Sequence, residues 1–197
     1  LEGDQFPTLG DEVVVSIAIS DADGDQLSYS IEGLPQGLSA IEATPAISVS
    51  ASAPLTVLIT GTIAVTGTHE TTVTVSDGHG GMVSETFDWL VNSPPMFAVQ
   101  EEHLVNPGSQ AYVLVQASDA DGHYLTYSGT GLPPGLEVMP PFGLITGTTT
   151  ASGLYSVTMN AVDGYGGSGE VVFGLRVNSP PTLDQPATQR HLVDSAV

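Results

Sequence analysis

Apolar and polar residues alternate with a period of two along most of the chain. Val13, Val15, Ile17 and Ile19 are interleaved with Val14, Ser16 and Ala18. Thr71, Val73 and Val75 lead up to Asp77, and Phe87, Trp89 and Val91 alternate shortly after. The same rhythm returns in Val113, Val115 and Ala117, in Val157, Met159 and Ala161 before Asp163, and in Phe173, Leu175 and Val177. Alternation of this kind places one set of side chains inward and the other outward on a half-buried strand. Gly, Pro, Asn and Asp punctuate the runs about every 8–12 residues, the spacing of short strands in a sandwich. No stretch has the helical period. The pattern predicts an all-β chain.

The alternation is itself repeated. Val91-Asn92-Ser93-Pro94-Pro95 recurs as Val177-Asn178-Ser179-Pro180-Pro181, and Asp77-Gly78-His79-Gly80-Gly81 as Asp163-Gly164-Tyr165-Gly166-Gly167. Asp21-Ala22-Asp23-Gly24 matches Asp119-Ala120-Asp121-Gly122, and Gly33-Leu34-Pro35-Gln36-Gly37-Leu38 matches Gly131-Leu132-Pro133-Pro134-Gly135-Leu136. The spacing between copies differs because the first holds 12 extra residues between Leu38 and Gly61. Two units follow, 1–92 and 93–178, with 179–197 as the start of a third unit or a tail; the chain reads as a segment of something longer. The extra length predicts a hairpin with arms at 46–50 and 55–59, which either lies back on its own sandwich as added strands or stays available as an uncharged edge for partner binding.

Composition narrows the function. The 197 residues hold 22 Asp plus Glu against two cations, Arg176 and Arg190, for a formal net charge of −20. Nucleic acid and anionic membranes need clustered Lys and Arg, so neither is an expected partner. No apolar run approaches the ~18 residues of a membrane-spanning helix, so direct insertion is not expected. Cysteine is absent, which removes disulfides, thiolate metal sites and a Cys nucleophile. No Ser/His/Asp grouping recurs, so the chain does not read as an enzyme.

The acidic residues fall at strand ends. Asp21, Asp23 and Asp77 should converge at one pole of the first unit, and Asp119, Asp121 and Asp163 at the matching pole of the second. Carboxylates gathered without a cation repel one another. A hard divalent ion relieves this, and Ca2+ accepts carboxylate, amide and backbone oxygens in loose geometry. For one Asp-x-Asp-Gly the simpler reading is a turn in which Asp caps its own backbone; two copies, each with a second strand-terminal Asp-Gly, favour the ion. An EF-hand does not fit, because Gln26 stands where its loop needs Gly and the flanks are strands. Trp89, Tyr29 and Tyr127 have inward parity, whereas Tyr112, Tyr124 and Tyr165 face outward or lie in loops. His79 and His123 read as solvated loop residues, and His69 as packing.

These motifs, with Ile59-Thr60-Gly61-Thr62 and Ile145-Thr146-Gly147-Thr148, resemble the dystroglycan-type cadherin-like repeat of bacterial surface and secreted proteins. The resemblance covers about residues 1–178. It implies tandem Ig-like or cadherin-like β-sandwiches that bind calcium at domain junctions. Carried over by position, the junction site would add Asn92 from the linker to Asp119, Asp121 and Asp163, with Glu12 lent by the preceding repeat. Asp25 becomes His123 in the second copy, and the linker lacks a further aspartate, so modest calcium affinity is expected. The implied role is extracellular: calcium-dependent adhesion, to another copy of the protein or a cell-surface polysaccharide, or rigid presentation of neighbouring domains. A calcium-dependent carbohydrate-binding accessory module of a polysaccharide-degrading enzyme and a passive spacer are the alternatives.

Overall fold

The computed structural model describes residues 3–42 and 55–184. They form two β-sandwiches in tandem, with no helix among the described residues. In the first repeat β1 (Glu12–Ile19), β4 (Leu55–Thr62) and β3 (Leu38–Glu42) make one sheet in the order β1-β4-β3. The other runs β2-β5-β6, from Ser28–Glu32, Gly67–Ser76 and Met82–Val91. Val15, Ile17, Ile19, Val57, Ile59, Val73, Phe87, Trp89 and Val91 fill the space between. Trp89 is fully buried, as its parity with Phe87 requires. Burial of such a side chain is worth about 1.5–3 kcal/mol, and an indole adds a donor that needs a partner.

The second repeat has the same plan. Its sheets are β12-β13-β9 (Leu136–Met139, Leu144–Thr148, Gln110–Leu114) and β11-β14-β15-β8 (Thr126–Thr130, Gly153–Val162, Ser168–Val177, His103–Val105). A two-residue strand β7 (Met96–Phe97) pairs with β10 (Ala117–Ser118) and brings Phe97 edge-on to Tyr127 at 6.2 Å. Among the described strands all pairings are antiparallel except β8 with β15, which is parallel. In the first repeat Gln5 and Thr8 make the equivalent parallel bridges to Trp89 and Asn92. Gly37 shows why the Gly-Leu-Pro-x-Gly-Leu motif ends on glycine. It has φ +96°, and a Cβ there would collide with the Thr62 carbonyl oxygen.

One sequence expectation changes. The second arm of the expected hairpin, 55–59, is not extra. It belongs to β4, the central strand of its sheet, and its Val57 and Ile59 are fully buried. β4 answers β13 and β3 answers β12, so the added length falls between Glu42 and Leu55. The first arm, 46–50, lies outside the described residues.

Candidate metal centre

The acidic loops adopt the same local structure in both repeats. Asp21 Oδ1 accepts the Asp23 and Asp25 N–H groups at 2.8 and 3.1 Å, and Asp119 Oδ1 accepts those of Asp121 and His123, both at 3.0 Å. Asp77 Oδ1 accepts the His79 and Gly81 N–H groups at 2.7 and 2.9 Å, and Asp163 Oδ1 those of Tyr165 and Gly167 at 2.7 and 3.0 Å. Each first Asp therefore caps its own turn, as the simpler sequence reading had it. Each capping carboxylate has a second oxygen; that of Asp77 also accepts the Gly81 N–H at 3.1 Å.

The poles differ in what lies over them. At the first, Asp25 meets His79 Nδ1 at 3.4 Å, joining the two loops in the open. The His79 N–H holds the Asp77 carboxyl below the usual range against a smaller opposing push from burial. The second pole is covered by the linker from the first repeat. Asn92 Nδ2 donates to Asp163 Oδ2 at 2.7 Å, and Ser93 N–H to Asp121 Oδ2 at 2.6 Å. Thr8 Oγ1 donates to the Tyr165 carbonyl at 3.2 Å. Asp163 is buried there. Burial pushes its carboxyl up, but the Asn92 amide and the Tyr165 and Gly167 N–H groups together outweigh it, and the net shift is down. Gly167 makes the approach possible, since a Cβ would come within 2.8 Å of Asn92 Nδ2 and 2.9 Å of Pro94 Cα.

Ligand-type atoms of Asp119, His123 and Asp163 lie within 4.8 Å of one another. Three buried polar atoms here have no hydrogen-bond partner: Asn92 Oδ1, Asp119 Oδ2 and His123 Nδ1. A buried polar atom left unpaired costs about 1–3 kcal/mol, so three at one place call for a partner. The donor set combines Asn, Asp and Asp oxygens with one imidazole nitrogen. It fits a hard divalent ion, with His123 as the departure, since imidazole suits zinc better than calcium.

Of the residues named from sequence, Asn92, Asp119, Asp121 and Asp163 come together at this junction. Asp21, Asp23 and Asp77 share the first repeat's pole. Glu12 begins β1, exposed, outside the cluster. His123, expected in solvent, lies inside; its side chain is 26% exposed and its ring stacks on Tyr165 at 4.1 Å. Ser93 and Thr8 were not singled out. The position of His123 was legible as the counterpart of Asp25, and that of Ser93 as the neighbour of Asn92. Beside the cluster runs a groove of about 310 Å³ between the repeats, with Phe6, Leu90, Asp121, His123 and Tyr165 in its walls.

Two stacked-sheet sandwiches joined at an acidic pole define a tandem protein of Ig type. The chain belongs to the family described as "Putative Ig domain", whose profile matches residues 2–92 and 94–178. No curated protein sequence matches it. Among solved structures, an I-band fragment of titin is similar at 13% identity and TM-score 0.53, over 88% of this chain and 62% of that one. Three domains of mouse clustered PcdhgC3 are similar at 14% identity and TM-score 0.42, over 90% and 66%. A chain from Bacteroides fragilis described as an alpha-galactosidase is similar at 24% identity and TM-score 0.39. That likeness covers 43% of this chain, which spans only 17% of its length. The titin likeness supports the Ig-type fold.

Proposed function

We propose that this tandem repeat is an extracellular module of the dystroglycan-type cadherin-like kind. In this reading calcium at the junction fixes one sandwich on the next, for adhesion or for holding neighbouring domains at a set distance. The observation that supports it is the gathering of Asp119, His123 and buried Asp163 within 4.8 Å, with Asn92 bonded to Asp163 through Nδ2 and with Asn92 Oδ1 and Asp119 Oδ2 buried without partners. Asn92, Asp119, Asp121 and Asp163 would hold the ion, and Asp21, Asp23 and Asp77 a second, more open one. At a hundredfold excess over its dissociation constant a single ion adds about 2.7 kcal/mol to stability. Chelation should therefore lower the melting temperature by several degrees, and magnesium should restore only part of it. Identical melting curves with calcium and with chelator would overturn the proposal; stabilisation by zinc alone would reassign the ion through His123.

A second reading rests on the groove. Phe6 and Tyr165 are 72% and 66% exposed beside Asp121, and aromatic faces with a carboxylate suit a sugar. Glycan-array binding that needs calcium and is lost in Tyr165→Ala supports it; no binding to any glycan sets it aside.

A further inference from the structure

The linker that closes the junction occurs twice, and only one copy is engaged among the described residues. Asn92 N–H donates to the Pro7 carbonyl at 2.9 Å, and Asn178 N–H to the Val105 carbonyl at 2.9 Å, so both segments leave their sandwich from the same backbone position. Asn92 is then buried against the second repeat, while residues 178–184 are all exposed. Five residues after Asn92, Phe97 packs on Tyr127. Five residues after Asn178, Leu183 is 96% exposed. Asn106, the counterpart of Thr8, is exposed at the same end. The second repeat thus ends in the same Val-Asn-Ser-Pro-Pro segment that leads from the first repeat onto the second, with Asn106 in place of Thr8 and Leu183 in place of Phe97.

The receiving surface is not copied completely. The first repeat has both acidic loops, with Asp25 and His79 where the second has His123 and Tyr165, and among the differences in the following strand one lies where the linker passes. Gly169 of β15 pairs with Ala161 of β14, and a Cβ on Gly169 would collide with the Pro95 carbonyl oxygen. The matching residue of β6 is Val83, paired with Val75 in the same register and 56% exposed. Its side chain occupies the place Pro95 takes on Gly169. A collision with backbone cannot be relieved by a rotamer change.

We propose that residues 178–183 are a docking segment for another β-sandwich pole, and that the residue at the Gly169 position decides which poles accept it. An accepting pole carries Asp-x-Asp-Gly, then a strand-terminal Asp-Gly-x-Gly-Gly, then glycine two residues on. The first repeat's pole is closed to this segment by Val83. The order of repeats is thereby written into one side chain. The inference rests on the Asn92–Pro95 contacts and does not require the ion.

The test opens the closed pole. In sedimentation velocity with the whole chain at about millimolar concentration, near the effective concentration of a short tether, the parent should remain monomeric. Val83→Gly should associate head to tail, with a sedimentation coefficient that rises with concentration. Adding Asn178→Ala should abolish this. The mirror variant Gly169→Val should stay folded, since the first repeat folds with Val83, but lose the fixed extended shape in small-angle scattering. A Val83→Gly chain that sediments like the parent, a parent that associates as strongly, or a Gly169→Val chain with the parental profile would each overturn the proposal. Calcium independence of the association would leave it standing while counting against the ion.

Discussion

Thr71 spends one hydroxyl on two partners. Its Oγ1 donates to the Gly33 carbonyl at 3.2 Å and accepts from Trp89 Nε1 at 3.0 Å, and both side chains are fully buried. Thr71→Val keeps the shape but strands the indole N–H, at a cost of about 1–3 kcal/mol. The second repeat has Val157 and Leu175 at the matching positions, so the same sandwich also closes with an apolar pair. Thr71→Val with Trp89→Leu should therefore cost less than the sum of the two single changes, read from urea midpoints at constant slope. At this scale the sequence was legible where parity decides: Trp89 inward, Tyr112, Tyr124 and Tyr165 outward. It was not legible where contact crosses repeats. Thr8 meets Tyr165 157 positions on, and no local pattern foretells that. Nor does alternation tell which neighbour of an aspartate, Glu12 or His123, turns toward it.

At the level of elements, one charged pair tests how an edge strand is held. Arg176, in β15, grips Glu102, just before β8, through Nε and Nη2 at 2.6 and 3.0 Å. Gly174 lies nearby, where a Cβ would come within 3.4 Å of both Glu102 Cγ and Leu154 Cδ1. The Arg176 guanidinium holds the Glu102 carboxyl below its usual value. A depressed carboxylate contributes stability above its unfolded pKa and loses it as pH falls through the lower folded value. The pair is exposed, so the contribution is small and screened by salt. Wild type should melt slightly above Glu102→Gln at pH 7 and low salt, with the gap closing as pH drops below the ordinary Glu range. Strand identity was readable from the period of two and from the repeat itself. The role of 55–59 was not, because a core strand and a hairpin arm share the same alternation; only pairing with both β1 and β3 separates them.

Across the whole molecule the charge of −20 is a standing repulsion. Raising sodium chloride should therefore raise the melting temperature of the chelated protein, because screening relieves like charges more than it weakens the few ion pairs. Calcium should add stability at matched ionic strength, which separates a bound ion from a diffuse atmosphere. In calcium, small-angle scattering should show an extended pair of sandwiches, and Asp119→Ala or Asp121→Ala should loosen it without unfolding either core. Two sandwiches and a shared acidic pole were visible in the repeat before any coordinates. The closure of the second pole by backbone N–H and amide groups was not, since it depends on how the chain turns at Pro94 and Pro95.

The parallel bridges have a mechanical meaning. Gln5 exchanges backbone hydrogen bonds with Asp88 and Leu90, and the Pro7 and Leu9 positions do so with Asn92, beside the strand that carries the chain out of the repeat. Segments entering and leaving a repeat thus run alongside each other in the same direction. Tension applied through the two chain ends pulls them past one another, so these bonds are sheared together instead of being peeled one at a time. Extension in an optical trap should show two abrupt unfolding steps, one per sandwich, at higher force than when the same repeat is pulled across its sheets. A repeat held this way yields as a whole unit and not strand by strand.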